Sequence, residues 1–315
     1  MTTFFTQRPG AQLQGVVILS LISLSACVQA ADTGAVVPSI TALFDEDGVL
    51  MMYPSAQGSQ FRLGQQNPNH TPHFAIEKQV VARPQKEGAL QYWNVPAYPL
   101  RYAGGGNGWS SRLHILASGG QQKYNWKNQH GYLSSPADVR NQELTVFMRV
   151  HQIVDPARAQ ITLKIRGGGH RADQPDAASC VMMTISPVAH GSITRFGKEL
   201  QHPQYDYVSL QPAFPAALQD HVWIGLKLVS WNDVQDARRV IHRLYIDTDP
   251  LDLATGKPKN QWRLFSEYID IEGKSSGRYN KLVNWGGWLT TIRADGFHDI
   301  DFVYPSVREI VPPQD

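Results

Sequence analysis

The stretch from residue 143 to residue 170 alternates apolar residues with residues that carry charge or transfer protons. Residues 143–151 read Glu-Leu-Thr-Val-Phe-Met-Arg-Val-His, and residues 161–166 read Ile-Thr-Leu-Lys-Ile-Arg before Gly-Gly-Gly-His ends the pattern. A period of two is typical of a half-buried strand, whose side chains point to opposite faces in turn. We therefore predict two neighbouring strands with acidic, basic and imidazole groups on the face away from the core. These groups belong to Glu143, Thr145, Arg149, His151, Lys164 and Arg166.

Two later segments repeat this alternation. In residues 221–229, Trp223 and Lys227 lie on the face opposite the apolar positions. In residues 240–247, Arg243 and Tyr245 do the same. Aromatic rings stack on sugar rings, while Lys and Arg pair with carboxylate or sulfate groups. If the four strands join one sheet, their shared face predicts a groove for an acidic polysaccharide. The alternative is ordinary solvated sheet surface, since antiparallel sheets commonly leave one face wet.

The segment of residues 196–207 is dense in groups that transfer protons or bind sugar. Two interpretations are open: it belongs to the site, or it is a strand followed by a polar turn at His202-Pro203. Its polar groups are Lys198, Glu199, His202, Tyr205 and Tyr207. The predicted substrate-binding set is Glu143, Arg149, His151, Lys164, Glu199, His202, Trp223, Lys227, Arg243 and Tyr245.

The composition is that of a globular protein with a sizeable core. Of 315 residues, 42% are hydrophobic and 18% are charged, and 29 Lys and Arg against 27 Asp and Glu give a formal net charge of +2. This balance, without a basic cluster, does not favour a nucleic-acid partner. The Gly-rich stretches at residues 104–108 and 167–169 lack the Lys-Ser/Thr ending of a phosphate loop, so we expect no nucleotide.

Residues 1–26 have the form of a secretory signal. The apolar run of residues 16–22 is too short to span a membrane, and Leu-Ser-Ala-Cys at residues 24–27 resembles the bacterial lipobox. That resemblance implies lipidation of Cys27, a tether over residues 27–42, and an exported outer membrane lipoprotein that faces the periplasm or the surface. We expect it to contact the membrane through the lipid anchor only. The alternative is a soluble periplasmic or secreted protein, cut near residues 28–30.

Residues 43–315 are predicted to form a single all-β domain, because no convincing amphipathic helix competes with the strand patterns. The Gly-rich residues 102–109 are predicted to be a loop. Many short strands with turn residues between them favour a sandwich, jelly roll or barrel. Besides the segments above, strand patterns lie near residues 74–81, 90–95, 112–117, 181–185, 193–196, 264–271, 289–294 and 300–310.

Several motifs lie within residues 120–312, among them Gly131-Tyr132-Leu133, Arg166-Gly167-Gly168-Gly169-His170, Phe196-Gly197-Lys198-Glu199, Trp285-Gly286-Gly287 and Ile292-Arg293-Ala294-Asp295. With these motifs the chain resembles an uncharacterised group of exported proteins with the concanavalin A-like jelly-roll fold. The resemblance implies a two-sheet jelly-roll sandwich with few helices, distantly similar to jelly-roll polysaccharide lyases of the alginate type.

Jelly-roll alginate lyases use Arg, Gln or Asn, His and Tyr from a concave sheet. β-Elimination at a uronate needs a cation or amide for the carboxylate, a base for the C5 proton and an acid for the leaving oxygen. The resemblance therefore implies a lyase for an acidic glycan, and a non-catalytic carbohydrate-binding or structural envelope lipoprotein is the alternative. The predicted catalytic residues are Arg166, His170, Lys198 and Tyr205, with Arg149, His151 and Tyr245 as alternatives for cation, base and acid.

No metal site or cofactor is predicted, with one Ca²⁺ possibility left open at residues 247–252. Asp247, Asp249 and Asp252 offer carboxylate oxygens there, although the Gly and terminal Glu of a standard calcium loop are missing. Cys180 is expected to be a small buried side chain.

Overall fold

The computed structural model describes residues 43–102, 105–117, 139–169, 175–187, 193–214, 218–274 and 280–314. The predicted signal and tether, with Cys27, lie outside these residues, and so does His170. Residues 42–315 form one compact unit. None of the described helical segments has the length and apolar character needed to cross a membrane.

Antiparallel strands dominate the described residues, and the helical segments among them are 3₁₀ turns at Glu77–Gln79, Pro156–Arg158 and Pro175–Ala178. In chain order the first ten strands are β1 (Leu43–Phe44), β2 (Leu50–Met51), β3 (Ser55–Arg62), β4 (Phe74–Ile76), β5 (Arg83–Glu87), β6 (Leu90–Pro96), β7 (Tyr98–Arg101), β8 (Asn107–Leu116), β9 (Gln142–Ile153) and β10 (Gln160–Gly167). The others are β11 (Cys180–Ile185), β12 (Thr194–Gln201), β13 (Gln204–Leu210), β14 (Ile224–Asn232), β15 (Arg239–Asp247), β16 (Leu251–Asp252), β17 (Lys257–Pro258), β18 (Arg263–Ile271), β19 (Leu289–Asp295) and β20 (Phe297–Ile310).

Two large sheets contain most of these strands. The β9 sheet has the order β18-β15-β14-β9-β20-β6-β5, with β3 also paired to β20. The β10 sheet has the order β13-β12-β11-β10-β19-β8-β4, with β7 also paired to β8. The chain crosses between the sheets repeatedly, as from β8 to β9, from β9 to β10 and from β13 to β14. The predicted all-β fold, a two-sheet jelly-roll sandwich with few helices, is confirmed.

The core lies between the two sheets and follows from the alternation in the sequence. Leu144 and Val146 of β9 and Ile161 and Leu163 of β10 belong to one buried apolar cluster, with at most 2% of each residue exposed. Because successive side chains of a strand point to opposite faces, the polar residues between them must face outward or be paired inside. The apolar half of the predicted pattern therefore determines which side of each strand is buried.

The prediction that the two strands of residues 143–170 are neighbours in one sheet is wrong. β9 pairs with β14 and β20, whereas β10 pairs with β11 and β19. The chain passes from one sheet to the other between Ile153 and Gln160, with a 3₁₀ turn at Pro156–Arg158. Lys164 and Arg149 therefore lie in opposite sheets. Alternation in the sequence indicates which side of a strand is apolar, but it does not indicate which strand is the neighbour.

Two strand boundaries also differ from prediction. β8 begins at Asn107, inside the segment predicted as a loop, and pairs with β7. Gly108 makes this possible, because a Cβ there would lie 2.3 Å from the ring of Tyr102. β4 ends at Ile76, and a 3₁₀ turn follows where the strand was expected to continue.

An ion pair joins the two sheets through the interior. Lys198 of β12 donates to the carboxylate of Asp270 of β18 at 3.2 and 3.3 Å and to the carbonyl of Lys281 at 2.9 Å. Lys198 is 1% exposed and Asp270 is fully buried. Lys198 is therefore a structural residue of the core, which corrects its prediction as a catalytic one.

We predict that Lys198→Met lowers the free energy of unfolding by about 3–5 kcal/mol, because it leaves the buried Asp270 carboxylate without its cation. Urea denaturation followed by circular dichroism measures this loss. Lys86→Met, at an exposed position of edge strand β5, is the matched control and changes stability little. Lys198→Met combined with Asp270→Leu should recover most of the loss. Wild-type stability for Lys198→Met alone would contradict the interior ion pair.

Candidate functional site

The outward face of the β10 sheet forms a groove of about 1240 Å³. Strand register builds it, since Lys164 pairs with Thr291, Thr291 pairs with His114, and Arg293 pairs with Arg112 across neighbouring strands. All of these side chains share one face because the register keeps the alternation in phase. The strands that contribute are β4, β7, β8, β10, β11, β12, β13 and β19.

Cations dominate the groove lining and lie beside tyrosine rings. Among the described residues, six Lys or Arg side chains line it against one carboxylate, that of Glu77. A cation over an aromatic ring is stabilised by the negative face of the ring. The pairs, with the distance from the cation to the ring centroid, are Arg195–Tyr207 (4.9 Å), Arg158–Tyr102 (5.1 Å), Lys164–Tyr205 (5.3 Å), Arg293–Tyr102 (5.9 Å) and Arg112–Tyr98 (6.0 Å).

The groove cations are held in place from below and from the side. Arg293 forms an ion pair with the buried carboxylate of Asp295 at 2.6 Å. Arg195 donates from Nη2 to Gln160 Oε1 at 3.0 Å, and its guanidinium lies over the ring of Tyr207. A guanidinium that is held in this way loses little side-chain entropy when it binds an acidic ligand.

Glu199 is the buried acceptor around which one end of the groove is built. It is fully buried on β12, and it accepts from Lys164 Nζ at 2.8 Å and from His202 Nδ1 at 2.7 Å. His202 lies in the turn between β12 and β13, and Tyr205 stands opposite Glu199 in the strand pairing. A carboxylate bound to Nδ1 fixes the imidazole, so proton exchange with a ligand falls to Nε2.

The protonation states at this end favour a proton donor beside a cation. Burial raises the pKa of Tyr205 to about 12, so the phenol keeps its proton at neutral pH. Burial opposes the charge of Lys164, but the carboxylate of Glu199 at 2.8 Å raises the pKa of the ammonium. Burial also raises the pKa of the Cys180 thiol to about 12, so this buried cysteine is a neutral floor residue rather than a nucleophile.

His114 forms a second polar cluster at the opposite side of the groove. Its Nε2 donates to Glu77 Oε2 at 2.8 Å, and its Nδ1 lies 2.9 Å from the Thr291 hydroxyl. The hydrogen bond from His114 lowers the pKa of Glu77 to about 2. Because both ring nitrogens have partners, His114 is suited to shaping the groove rather than to removing a proton from a ligand.

The predicted catalytic residues do not converge. Tyr205 lines the groove, whereas Lys198 lies in the core and His170 lies outside the described residues. Arg166 is fully buried, and its Nη1 donates to Val283 O at 2.7 Å and to Asn232 Oδ1 at 2.9 Å.

A bulge explains why alternation misplaced Arg166. The pairing of β10 with β19 shifts register between Lys164 and Gly167, and Arg166 has a φ of 55°. A bulge adds one residue to a strand and reverses the faces beyond it. The side chain of Arg166 therefore reaches Asn232 at the end of β14, in the other sheet. Burial lowers the pKa of Arg166 to about 9. Arg166 is corrected from a ligand-neutralising cation to an interior one.

The predicted substrate-binding residues divide between the two sheets. Lys164, Glu199 and His202 are at the groove. The remaining seven lie on the outward side of the β9 sheet, so the predicted single groove floor is wrong. They are Glu143, Arg149, His151, Trp223, Lys227, Arg243 and Tyr245.

Much of that second face is covered by the chain. Lys227 and Glu143 are buried and joined at 2.6 Å, and Glu143 also accepts from the backbone nitrogen of Met52 at 3.0 Å. Arg243 donates to Glu267 at 2.6 Å and to the Tyr53 hydroxyl at 3.0 Å. These contacts hold the segment around Met52 and Tyr53 against the sheet, which gives the charged residues there a structural role.

The Ca²⁺ possibility at residues 247–252 finds no support in the geometry. Asp247 accepts from the backbone nitrogens of Asp249 and Gln261 at 3.0 and 2.7 Å. Asp249 pairs with Lys259 at 2.6 Å, and Asp252 accepts from the hydroxyl of Thr255 at 2.8 Å. Each carboxylate therefore holds its own turn, and the three do not form a shared ligand cluster among the described residues.

Several groove residues were missed from the sequence. The signal was present, because Arg112 and His114 alternate with Leu113 and Ile115, as Arg293 and Asp295 do with Ile292 and Ala294. It could not be used without the strand order, since β8 and β19 are neighbours although 172 residues separate the end of one from the start of the other. The missed lining residues that matter are Arg112, His114, Arg195 and Arg293.

Comparison with known proteins gives structural matches only. No family model matches the chain, and no curated protein matches it. Similar solved structures include an endo-β-1,4-glucuronan lyase from the fungus Trichoderma reesei, at 10% identity over 79% of this chain and 94% of that one, with a TM-score of 0.41. A Bacillus subtilis protein of unknown function with a galectin-like fold matches at 9% identity over 83% of this chain and 100% of that one, with a TM-score of 0.43.

An alginate lyase variant in complex with alginate tetrasaccharide is also similar, at 13% identity over 71% of this chain and 82% of that one, with a TM-score of 0.29.

We predict that Glu77→Gln destabilises the protein near neutral pH and has almost no effect near pH 2. The folded pKa of Glu77, about 2, lies below the ordinary value of 4.5, so its carboxylate stabilises the folded state above pH 4.5 and loses this effect as the pH falls towards 2. Urea denaturation across this pH range measures the difference from wild type. Glu272→Gln, at an exposed carboxylate of the other sheet, should show no such pH dependence. An equal loss for Glu77→Gln at every pH would contradict the charged pair with His114.

Proposed function

We propose that the groove of the β10 sheet binds an acidic, uronate-containing polysaccharide and cleaves it by β-elimination. The observation that carries this proposal is the lining: six Lys or Arg side chains face one carboxylate, and tyrosine rings stand between them. A chain of uronate sugars presents the complementary pattern, with a carboxylate on each residue and an apolar ring face beside it. A groove is also the shape that an extended polymer requires.

The residues around Tyr205 support elimination rather than hydrolysis. Hydrolysis with two carboxylates needs an acid and a nucleophile or base that face the sugar, whereas Glu199 is buried and already bound to Lys164 and His202. Elimination needs a cation at the substrate carboxylate, a base for the C5 proton and an acid for the leaving oxygen.

Each of these roles has a candidate at this end of the groove. Lys164 Nζ lies 5.3 Å from the centroid of the Tyr205 ring, and Arg293 lines the same groove, so a uronate carboxylate bound by these two cations lies near the phenol. His202, held through Nδ1 by Glu199, takes the C5 proton at Nε2. The bond between C4 and the leaving oxygen then breaks, and Tyr205 donates its proton to that oxygen.

We predict that Tyr205→Phe lowers turnover of an acidic glycan by about 100-fold or more while binding is kept, because general acid catalysis typically contributes this much. Incubation with glucuronan, alginate and pectate, followed by the ultraviolet absorbance of the unsaturated uronate, measures turnover. Tyr245→Phe, on the other sheet, is the matched control and keeps wild-type activity.

Binding and cleavage are separated by a second measurement. Affinity electrophoresis in gels that contain the same glycans should show retardation that weakens with added salt, because salt screens exposed charges. Arg195→Gln should reduce this retardation. Retardation without any absorbance rise would remove the lyase activity and leave a carbohydrate-binding protein. Neither retardation nor absorbance with any acidic glycan would contradict the proposal as a whole.

We also propose that the protein is exported and anchored through a lipid on Cys27. The support is the signal-like sequence of residues 1–26 and its lipobox ending. In a Gram-negative host grown with labelled palmitate, the wild-type chain should carry label in the membrane fraction. Cys27→Ala should lose the label and leave the membrane fraction. Label that persists in Cys27→Ala, or no label in the wild type, would contradict the anchor.

A further inference from the structure

A second cavity, of about 580 Å³, opens on the outward side of the β9 sheet, away from the groove. Three neighbouring strands supply its polar wall. Asp299 of β20 pairs with His151 of β9, and Asp301 of β20 pairs with Arg149 of β9 and with Asn94 of β6. Because Asp299 and Asp301 are two residues apart, both carboxylates point to the same side of the sheet as His151.

His151, Asp299 and Asp301 bring three ligand atoms together. His151 Nε2 lies 2.7 Å from Asp301 Oδ2 and 3.8 Å from Asp299 Oδ1. One ligand atom from each residue lies within 4.8 Å of the other two, and no other group of three or more His, Cys, Asp or Glu among the described residues meets this condition. Two bonds of about 2.0–2.2 Å from one ion reach ligand atoms up to about 4 Å apart, which covers the sides of 2.7 and 3.8 Å that His151 makes with the two carboxylates. We infer that these three residues form a site for a divalent first-row transition ion, with Zn²⁺ as its representative.

The charges around the three residues favour a dication. The carboxylates of Glu87, Asp299 and Asp301 are opposed by the single guanidinium of Arg149, which contacts Glu87 at 2.8 Å and Asp301 at 2.7 Å. These three carboxylates and one guanidinium leave an excess of two negative charges, which one divalent ion balances when His151 binds it as a neutral imidazole. The imidazole nitrogen favours a transition ion over Ca²⁺ or Mg²⁺, since these prefer oxygen ligands.

Neighbouring side chains hold the ligands in position. Asn94 Nδ2 donates to Asp299 Oδ1 and to Asp301 Oδ1, both at 2.9 Å, and so keeps the two carboxylates side by side. His151 Nδ1 lies 2.8 Å from His221 Nδ1, which fixes the imidazole plane. Arg149 donates to Asp301 Oδ2 from Nε at 2.9 Å and from Nη2 at 2.7 Å, whereas Asp301 Oδ1 accepts from Asn94 Nδ2. A carboxylate oxygen has two lone pairs, so Oδ1 can bind an ion while Arg149 stays on Oδ2. Such partners of the ligands are typical of metal sites in proteins.

The site is open on one side. Gln85, Gln152 and His221 line the same cavity, so the remaining coordination positions of an ion on His151 and the two carboxylates face solvent. Three protein ligands with an exchangeable position are typical of catalytic rather than structural zinc sites. A ligand such as water or a small anion therefore completes the coordination. This site is independent of the groove and does not rest on its proposed function.

Titration of the whole chain with Zn²⁺ near neutral pH, followed by calorimetry, tests the inference. We expect one equivalent to bind, and we expect Co²⁺ in its place to give a visible absorption band. His151→Gln and Asp299→Asn should each weaken Zn²⁺ binding at least 10-fold, while His70→Gln, at an exposed histidine that does not line the cavity, binds as wild type does.

Two further readouts keep the test decisive. Circular dichroism and the midpoint of thermal unfolding without metal establish that each variant is folded, and Ca²⁺ in excess should not displace Co²⁺. If wild type binds Zn²⁺ no more tightly than folded His151→Gln, or if His70→Gln loses as much affinity as Asp299→Asn, the inferred site is overturned. Loss of glycan binding would not affect this result, because the groove lies on the other sheet.

Discussion

The dry space between the two sheets is the constraint on which the rest of this protein depends. Each strand gives one side of its residues to that space, and a charge inside it must have a partner because water is absent. Lys198 meets this condition through Asp270. Arg166 meets it in part, because Nη1 donates to Val283 O and Asn232 Oδ1 while Nε and Nη2 are buried without a hydrogen-bond partner among the described residues. Groups that are to meet a ligand must therefore lie on the two outward faces, and they are there because alternate residues fill the core.

The two outward faces of the sandwich differ in how far the chain covers them. The face of the β9 sheet is partly closed by the segment around Met52 and Tyr53, which binds Glu143 and Arg243. The face of the β10 sheet stays open as a groove, and its cations are supported by buried acids such as Glu199 and Asp295. A cation that is held by a buried acid keeps its charge and loses little side-chain freedom on binding, and for this reason we assign the proposed acidic glycan to this face.

The sequence predicts the fold well because the fold depends on period and composition. The alternation in β9, β10, β14 and β15 identifies the buried side of each strand, and the short strands with turns between them identify a sandwich. The site is harder to predict from the sequence, since it depends on which strands are neighbours in the sheet. β8 and β19 meet across 172 residues of chain, so Arg112 and Arg293 share a face that no local pattern reveals.

Local exceptions to the period explain the remaining errors. The bulge at Arg166 sends a residue of apparently outward phase into the interior. Lys198 is a different case, because it follows the regular period of β12, which places it with Phe196 on the core side. Glu199, His202 and Tyr205 meet through the turn at His202 and the pairing of β12 with β13, and Lys164 joins them across β11.

The central claim is that acidic glycan binds the outward face of the β10 sheet. The most direct measurement is a crystal structure of the protein with a short oligoglucuronate. The sugar carboxylates should contact Arg293 and Lys164, with a ring face on Tyr205 or Tyr207. Sugar bound instead on the outward face of the β9 sheet, beside Trp223 and Arg149, would contradict this account.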